Sequence, residues 1–241
     1  MKKILFAVIL VLAVALMLPA DVYIKTNVHT DAFAMMGQNQ PAKDDVTEQW
    51  VGNNQLVNKT GDKIMIMDMN KKLMFIVNPK DKTYVETALP LDMSKLMPKE
   101  AASMISMMKV TVKVTPNGQT QKISKWNCSG YDIDMNMMMM TMKMKVWATT
   151  DVPFDWNQFS KMYANVSKMS FIDDASITEL MKVKGYQVSS EMNMDMMGSK
   201  MKVTSQVVEI TQKPAPAGIY TVPAGYTKKD TLSLEDLRGG K

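Results

Sequence analysis

Apolar and polar residues alternate along most of the chain from residue 22 onward. Alternation with a period of two, combined with many β-branched residues, is typical of half-buried strands. Short strands are predicted over residues 22–29, 47–51, 63–69, 72–77 and 83–87. Runs of Gly, Asn, Asp and Pro separate these segments and mark turns. The pattern therefore predicts a meander of antiparallel hairpins.

Two later segments have helical rather than alternating spacing. Within residues 98–108, apolar residues recur every three or four positions, and Pro98 suits the first turn of a helix. A second helix is predicted over residues 155–169, with Asp155 as its cap and aromatic residues along one side. Both helices have an apolar face, so we expect them to pack on the sheet.

Alternation resumes outside the two helices. A strand over residues 109–115 ends at the predicted turn Pro116-Asn117-Gly118, and long hairpins follow over residues 130–149 and 185–211. The acidic pair Asp173-Asp174 is assigned to a solvated loop. Strands do not alternate regularly with helices, and no change in composition marks a linker. The sequence predicts one α+β domain, in which a long, curved antiparallel sheet carries helices on one face.

The methionines fall on one face of the predicted strands. Successive strand side chains point to opposite faces, so the parity of the residue number sorts them. In the central hairpin, Met alternates with Asp or Asn on the first strand and with Lys on the second, so acids and lysines are expected to pair on a solvated outer face. The apolar face is predicted to carry Met65, Met67, Met69, Met135, Met137, Met139, Met142, Met144, Met192, Met194 and Met196, and the helix over residues 98–108 adds Met104 and Met108.

The chain contains 28 Met residues, more than a tenth of its length. Three interpretations of this bias stay open. Met can fill a solid core, because it is flexible and apolar. It can also line a deformable cavity that accepts acyl chains. Finally, clusters of Met-x-Met can bind the soft ions Cu(I) or Ag(I) through their thioethers.

Composition excludes several classes of protein. Cys128 is the single cysteine and His29 the single histidine, so a disulfide scaffold and a Cys/His zinc centre are excluded. A catalytic triad would have to use His29 alone. The net charge is +5, but the lysines are scattered and form no basic stripe, so no nucleic-acid partner is expected. We predict no enzymatic activity and no cofactor, and a buried, inert Cys128.

The first twenty residues have the features of a secretory signal. Lys2 and Lys3 precede an uncharged run over residues 4–18, which is shorter than the roughly 20 residues of a membrane span. Cleavage is expected after Ala20, with an uncleaved N-terminal anchor as the alternative. The protein is thus predicted to be periplasmic or secreted. We expect residues 1–20 to be the signal peptide, residues 21–228 to form a single domain and residues 229–241 to form a polar, flexible tail.

Five segments resemble a known family in their order and spacing. They are DKTYVE at 81–86, KWNCSGY at 125–131, WATTDVP at 147–153, KGY at 184–186 and YTVPAGY at 220–226. Over residues 21–228 the chain resembles exported bacterial domains of unknown function, related in pattern to the periplasmic lipoprotein carriers LolA and LolB. The resemblance implies a LolA-like half-open β-barrel, with two or more helices covering its concave face over an apolar cavity. Proteins of that wider fold carry or sense lipids and lipoproteins.

These observations predict a non-catalytic envelope protein that binds a lipid or acyl chain in a cavity lined by the Met residues named above. The expected partner is an apolar small molecule or lipid, with transient contact to a membrane or an envelope protein. Two alternatives remain. One is a Met-rich protein that binds Cu(I) or Ag(I), and the other is a structural or interaction protein whose Met face is a filled core.

Overall fold

The structure is a computed structural model, and it describes residues 21–35, 38–89, 110–137, 140–156, 159–160, 173–196 and 199–232. The first strands are β1 (Val22–Thr30), β2 (Phe33–Met35), β3 (Gln38–Gln40), β4 (Lys43–Val51), β5 (Gln55–Thr60), β6 (Lys63–Asp68), β7 (Leu73–Asn78) and β8 (Thr83–Ala88). The later elements are β9 (Val110–Ile123), β10 (Trp126–Met137), β11 (Met140–Thr149), the helix α1 (Asp174–Leu180), β12 (Tyr186–Met196), β13 (Ser199–Gln212) and β14 (Thr227–Lys229).

Twelve of these strands form one sheet in the order β14-β8-β7-β6-β5-β4-β1-β13-β12-β11-β10-β9. Consecutive strands pair as antiparallel hairpins within each half, and β1 joins the halves by pairing with both β4 and β13. The short strand β14 is parallel to β8, and β2 pairs with β3 in a separate ribbon. The predicted antiparallel meander is therefore present, as part of a much larger sheet.

The sheet does not close. Its two outermost strands, β9 and β14, do not pair with one another. The predicted α+β class, with a half-open barrel under two or more helices, is wrong, because the described part of the chain is nearly all β and carries one bounded helix, α1. A sheet closes into a barrel only when its two edge strands pair with one another. Here the edge strand β14 has only three residues, and the free edge of β9 is occupied by side chains of α1.

The two predicted helices fall largely or wholly outside the described residues. Of the segment 155–169, only 155–156 and 159–160 are described, and residues 156, 159 and 160 are helical. The segment 98–108 lies entirely outside the described residues, as does the signal over residues 1–20.

The helix α1 begins where a solvated loop was predicted. The side chain of Asp173 accepts a hydrogen bond from the backbone nitrogen of Ser176 at 2.8 Å, which satisfies one of the free N–H groups of the first turn. Asp174 follows in that turn, where a negative charge interacts favourably with the helix dipole. The acidic pair is therefore a helix start, and the loop assignment is wrong.

The strand β9 continues through the predicted turn Pro116-Asn117-Gly118. Pro116 lies opposite Tyr131 of β10 in the register. The backbone nitrogens of Val112 and Val114 point away from β10, toward α1. Pro116 has the same parity, so its missing N–H costs no hydrogen bond in the ladder. An edge strand can therefore carry the proline, and the predicted end at residue 115 is wrong.

The two faces of the sheet have different covers. The inner face is defined as the face that carries Ile24, Leu56 and Ile133, and α1 packs on it. The predicted charge pairing on the opposite, outer face is confirmed, since Asp132 lies opposite Lys145 in the register of β10 and β11. Asp134 and Lys143 form the next such pair, and they are exposed.

Part of the outer face is buried beneath the chain that follows β13. Tyr23, Trp50 and Val57 form a buried cluster there, against which residues of the segment 215–226 pack. The ammonium of Lys213 lies 3.6 Å from the ring centroid of Tyr23, a cation–π contact. Each face of the sheet is thus covered in part, the inner face by α1 and the outer face by this segment.

Cys128 is buried on the inner face and forms no disulfide. Burial raises the pKa of its thiol, and a hydrogen bond with the backbone of Ile123 offsets this only in part. The thiolate, which is the reactive form, is therefore disfavoured. The expectation of a packed, unreactive cysteine agrees with this environment. Among the described residues, no helix is long and apolar enough to cross a membrane.

Candidate ligand-binding site

A cavity of about 530 Å³ lies on the inner face of the sheet. Strands from both halves contribute to its wall, from Asn58 on β5 to Ile133 on β10. Five strands separate these two in the sheet order, so the sheet curves around the cavity. The volume is within the range of about 300–1,000 Å³ that is usual for small-molecule sites.

The first wall of the cavity is aliphatic. Ile133 and Met135 on β10 and Met144 on β11 present their side chains to it, because alternate positions of a strand share a face. Residues of α1 and the loop after it complete this wall. The lining positions there are Ile177, Leu180, Met181 and Val183, and the first three have the i, i+3, i+4 spacing of a single helix face.

The second wall is aromatic. Trp156, Phe159 and Tyr186 line the cavity. The Trp156 and Phe159 rings are stacked with centroids 5.6 Å apart, and the Phe159 and Tyr186 rings meet edge to face at 5.5 Å. Such contacts fix the orientation of the rings. This wall is thus a pre-formed apolar surface.

A band of uncharged polar residues crosses the floor between the two walls. It comprises Thr26, Thr47, Gln49, Asn58 and Ser205, which lie on the neighbouring strands β1, β4, β5 and β13. Several members already have partners in the protein. The hydroxyl of Tyr186 donates to Oε1 of Gln49 at 3.0 Å, and the hydroxyls of Ser190 and Ser205 are 2.8 Å apart.

No charged side chain is among the described residues that line the cavity. Glu179 of α1 is turned to the edge of the sheet, where its Oε2 accepts a hydrogen bond from the backbone nitrogen of Val114 at 2.9 Å. Hydrogen bonds from Lys182 and from Val114 lower the pKa of this carboxyl group. Within the described ranges, no group of three or more His, Cys, Asp or Glu side chains could hold a metal ion.

The structure distributes the predicted Met lining over three places. Met135 and Met144 line the cavity. Met65, Met67 and Met69 pack instead with a neighbouring cluster around Leu56. The half-buried Met137, Met142, Met192 and Met194 lie elsewhere on the inner face. Met104, Met108, Met139 and the side chain of Met196 are outside the described part of the structure.

Four methionines form a row across the inner face. Met135 lies opposite Met142, Met142 opposite Met194, and Met194 opposite Met201, on the adjacent strands β10 to β13. Directly opposed residues on one face have Cβ atoms about 4.5–5.5 Å apart. The row therefore brings four thioethers into a single line, with one end at the cavity.

Sequence reasoning missed the polar band and the contribution of α1. The band was detectable from parity, because Asn58 shares the inner face with Leu56 two residues earlier, and Gln49 shares it with Val51. A polar residue at an apolar position of a strand indicates a site where something other than core packing is required. The helix side chains gave a weaker signal, since α1 has only seven residues.

The described residues thus form an open twelve-stranded β-sheet with a largely apolar cavity that none of their charged side chains lines. Comparison with known families then places the chain in one of them. The chain belongs to the family described as Domain of unknown function (DUF4412), whose model matches residues 28–226.

Comparison with individual proteins adds little to the family match. No curated protein matches. A solved structure that is similar in part is that of a DUF1329 family protein from Desulfovibrio piger ATCC 29098, at 8% sequence identity. The comparison covers 87% of this chain and 92% of that one, with a TM-score of 0.29.

Proposed function

We propose that the protein binds an acyl chain or a similarly elongated apolar ligand in the cavity on the inner face, without catalysing a reaction. The observation that carries this proposal is the cavity itself. It combines a volume of about 530 Å³ with an aliphatic wall, an aromatic wall and no charged lining residue among those described. Apolar pockets with a few placed polar groups are typical of small-molecule sites.

Burial of the acyl chain supplies the main favourable contribution to binding. Each methylene transferred from water to an apolar wall contributes about 0.8 kcal/mol, so about ten methylenes contribute about 8 kcal/mol. Association and ordering subtract several kcal/mol from that sum. The flexible side chains of Met135 and Met144 suit chains of varied shape, because thioethers adapt to irregular surfaces.

The position of the single histidine supports binding rather than catalysis. His29 lies on the outer face, where its Nδ1 is 2.7 Å from Asp44 Oδ1 and its Nε2 is 3.2 Å from Asp31 Oδ1. It is therefore held away from the cavity. The sequence features of a secretory signal and the resemblance to the lipoprotein carriers favour an exported protein with a lipid ligand.

Uptake of a neutral apolar fluorophore, N-phenyl-1-naphthylamine, tests the proposal. We expect saturable binding to the protein, and at least a tenfold loss of affinity on changing Met135 and Met144 to Asp, because a carboxylate is costly to bury. The matched control changes Met142 and Met194 to Asp, since these residues are also half-buried on the inner face but do not line the cavity. Equal affinity of the two double variants, both folded by circular dichroism, would contradict the proposal.

The row of four methionines favours a second candidate function, binding of Cu(I) or Ag(I). Thioethers are soft ligands that prefer these ions, and the register brings Met135, Met142, Met194 and Met201 side by side. We expect the double change of Met142 and Met194 to Leu to weaken Ag(I) binding about tenfold. The control double change, Met65 and Met69 to Leu, should leave it unaltered. Unchanged Ag(I) affinity in both variants would exclude this function.

A further inference from the structure

One acceptor in the polar band has no partner. The side-chain oxygen Oδ1 of Asn58 is buried and accepts no hydrogen bond from any described residue. Asn58 is on β5 and lines the cavity. Buried polar atoms are satisfied in most native structures, because an unmade hydrogen bond costs free energy. This atom is therefore suited to accept a hydrogen bond from a ligand.

The polar side chains next to Asn58 have partners of their own. Gln49 lies directly opposite it on β4, and the side-chain oxygen of Gln49 already accepts the hydroxyl hydrogen of Tyr186. The hydroxyls of Thr47 and Thr60, on the same pair of strands, are 2.9 Å apart. The neighbouring oxygens are thus engaged within the protein, whereas Oδ1 of Asn58 has no partner among the described residues.

The charge of the lining restricts the chemistry of the head group. No described lining residue is a Lys or Arg that could pair with a carboxylate or phosphate, and none is an acid that could pair with an ammonium. Among the described lining residues, an ionised head group finds no counter-charge that would offset its lost hydration. A neutral group with O–H or N–H donors loses less and can donate to Asn58.

From these observations we infer that the cavity selects uncharged amphiphiles whose head group donates hydrogen bonds, with a hydroxyl or primary amide next to the acyl chain. The inference rests on the proposed function and adds the class of ligand. In this arrangement the head group lies against Asn58 in the polar band. The acyl chain then extends between the aliphatic wall at Met135 and Met144 and the aromatic wall at Trp156.

Competition for the bound fluorophore tests the inference with three ligands of one chain length. Monopalmitoylglycerol has hydroxyl donors, methyl palmitate has none, and palmitate carries a charge. We expect monopalmitoylglycerol to displace the fluorophore at concentrations about tenfold lower than either of the others. Equal potency of all three, or a preference for palmitate, would overturn the inference while the proposed function stands. No uptake of the fluorophore by the protein would overturn both.

Variants at Asn58 test whether this residue causes the preference for monopalmitoylglycerol. The change Asn58→Leu removes the acceptor at similar size, so it should abolish the advantage of monopalmitoylglycerol over methyl palmitate. Asn58→Asp keeps an acceptor and adds a charge, so the advantage over palmitate should persist. The matched control is Asn136→Leu, an exposed asparagine on the outer face of β10. Retention of the full preference by Asn58→Leu would overturn the inference.

Discussion

The hydroxyl of Ser176 donates a hydrogen bond to the carbonyl oxygen of Val110 at 3.2 Å, at the outermost strand of the sheet. The hydroxyl oxygen of Ser176 in turn accepts a hydrogen bond from the backbone nitrogen of Val112, also at 3.2 Å. One serine side chain thus occupies the place of a neighbouring strand for two backbone groups. Exposed edge strands can pair with other chains, so α1 protects this edge as well as covering the cavity.

The change Ser176→Ala should destabilise the protein by about 1–3 kcal/mol. It leaves the buried carbonyl oxygen of Val110 and the buried N–H group of Val112 without their hydrogen-bond partner. An unsatisfied buried polar group lowers the free energy of unfolding by about this amount. The free energy of unfolding, measured in urea, checks the loss. The control is Thr178→Ala, two residues along the same helix and exposed. A loss no greater than that of the control would show that the edge contact contributes little.

The change Gly185→Ala should cost more than about 2 kcal/mol. Gly185 lines the cavity with a φ of +101°, and a Cβ atom there would lie 2.4 Å from the carbonyl group of Thr149. That contact is with backbone, which cannot move aside. Gly61→Ala is the control, because its φ is +55° and nothing lies within 4 Å of the added Cβ. Thermal unfolding of both variants checks the difference, and equal melting temperatures would contradict it.

The lowered pKa of Asp68 should make the stability of the protein depend on pH. Its burial alone would raise the pKa, but hydrogen bonds from the backbone of Lys71 and from Gln55, with the charge of Lys71, lower the pKa below its ordinary value of 3.8. A carboxyl group with a lowered pKa stabilises the folded state above its ordinary pKa, and this contribution is lost as the pH falls through the lowered value.

The variant Asp68→Asn tests this linkage. It should be less stable than the unchanged protein at pH 7, and the difference should shrink as the pH falls below about 4. Urea unfolding of both proteins at pH 7 and pH 3 measures the difference. A difference in the free energy of unfolding that is constant between these pH values would contradict the assigned cause.

Trp156 provides an optical measure of cavity occupancy. It is the tryptophan among the described lining residues, whereas Trp50, Trp126 and Trp147 lie elsewhere. A bound ligand should therefore change the intrinsic fluorescence mainly through Trp156. We expect Trp156→Phe to remove most of the change on titration with monopalmitoylglycerol, and Trp147→Phe to leave it. The reverse result would place the ligand outside the cavity.

The sequence predicted which side chains share a face, because strand alternation is local. The pairing of Asp132 with Lys145, and the run of Met on the opposite face, follow directly from the parity of β10 and β11. The buried state of Cys128 also follows from composition, since a lone thiol is usually packed. These predictions needed no knowledge of how the sheet ends.

The features that the sequence did not predict depend on distant parts of the chain. The edge of β9 is satisfied by Ser176 of α1, which is more than sixty residues away in sequence. Likewise, the cavity forms because the curved sheet brings Asn58 and Ile133 into the wall of the same cavity. Local patterns specify which face a residue occupies, but they do not specify whether edges close or which apolar positions surround a space rather than a core.

The pairing of β1 with β13 has a consequence for how the chain folds. Val22 lies opposite Gln212, and Asp21 accepts hydrogen bonds from the backbone of Lys213 and Ala215. Contacts between segments so distant in sequence are entropically costly to close and slow to form. During synthesis, the edge of β1 that pairs with β13 stays exposed to solvent until β13 has left the ribosome. Completion of the sheet is therefore a late step, and the incomplete chain is the species most exposed to aggregation and to chaperones.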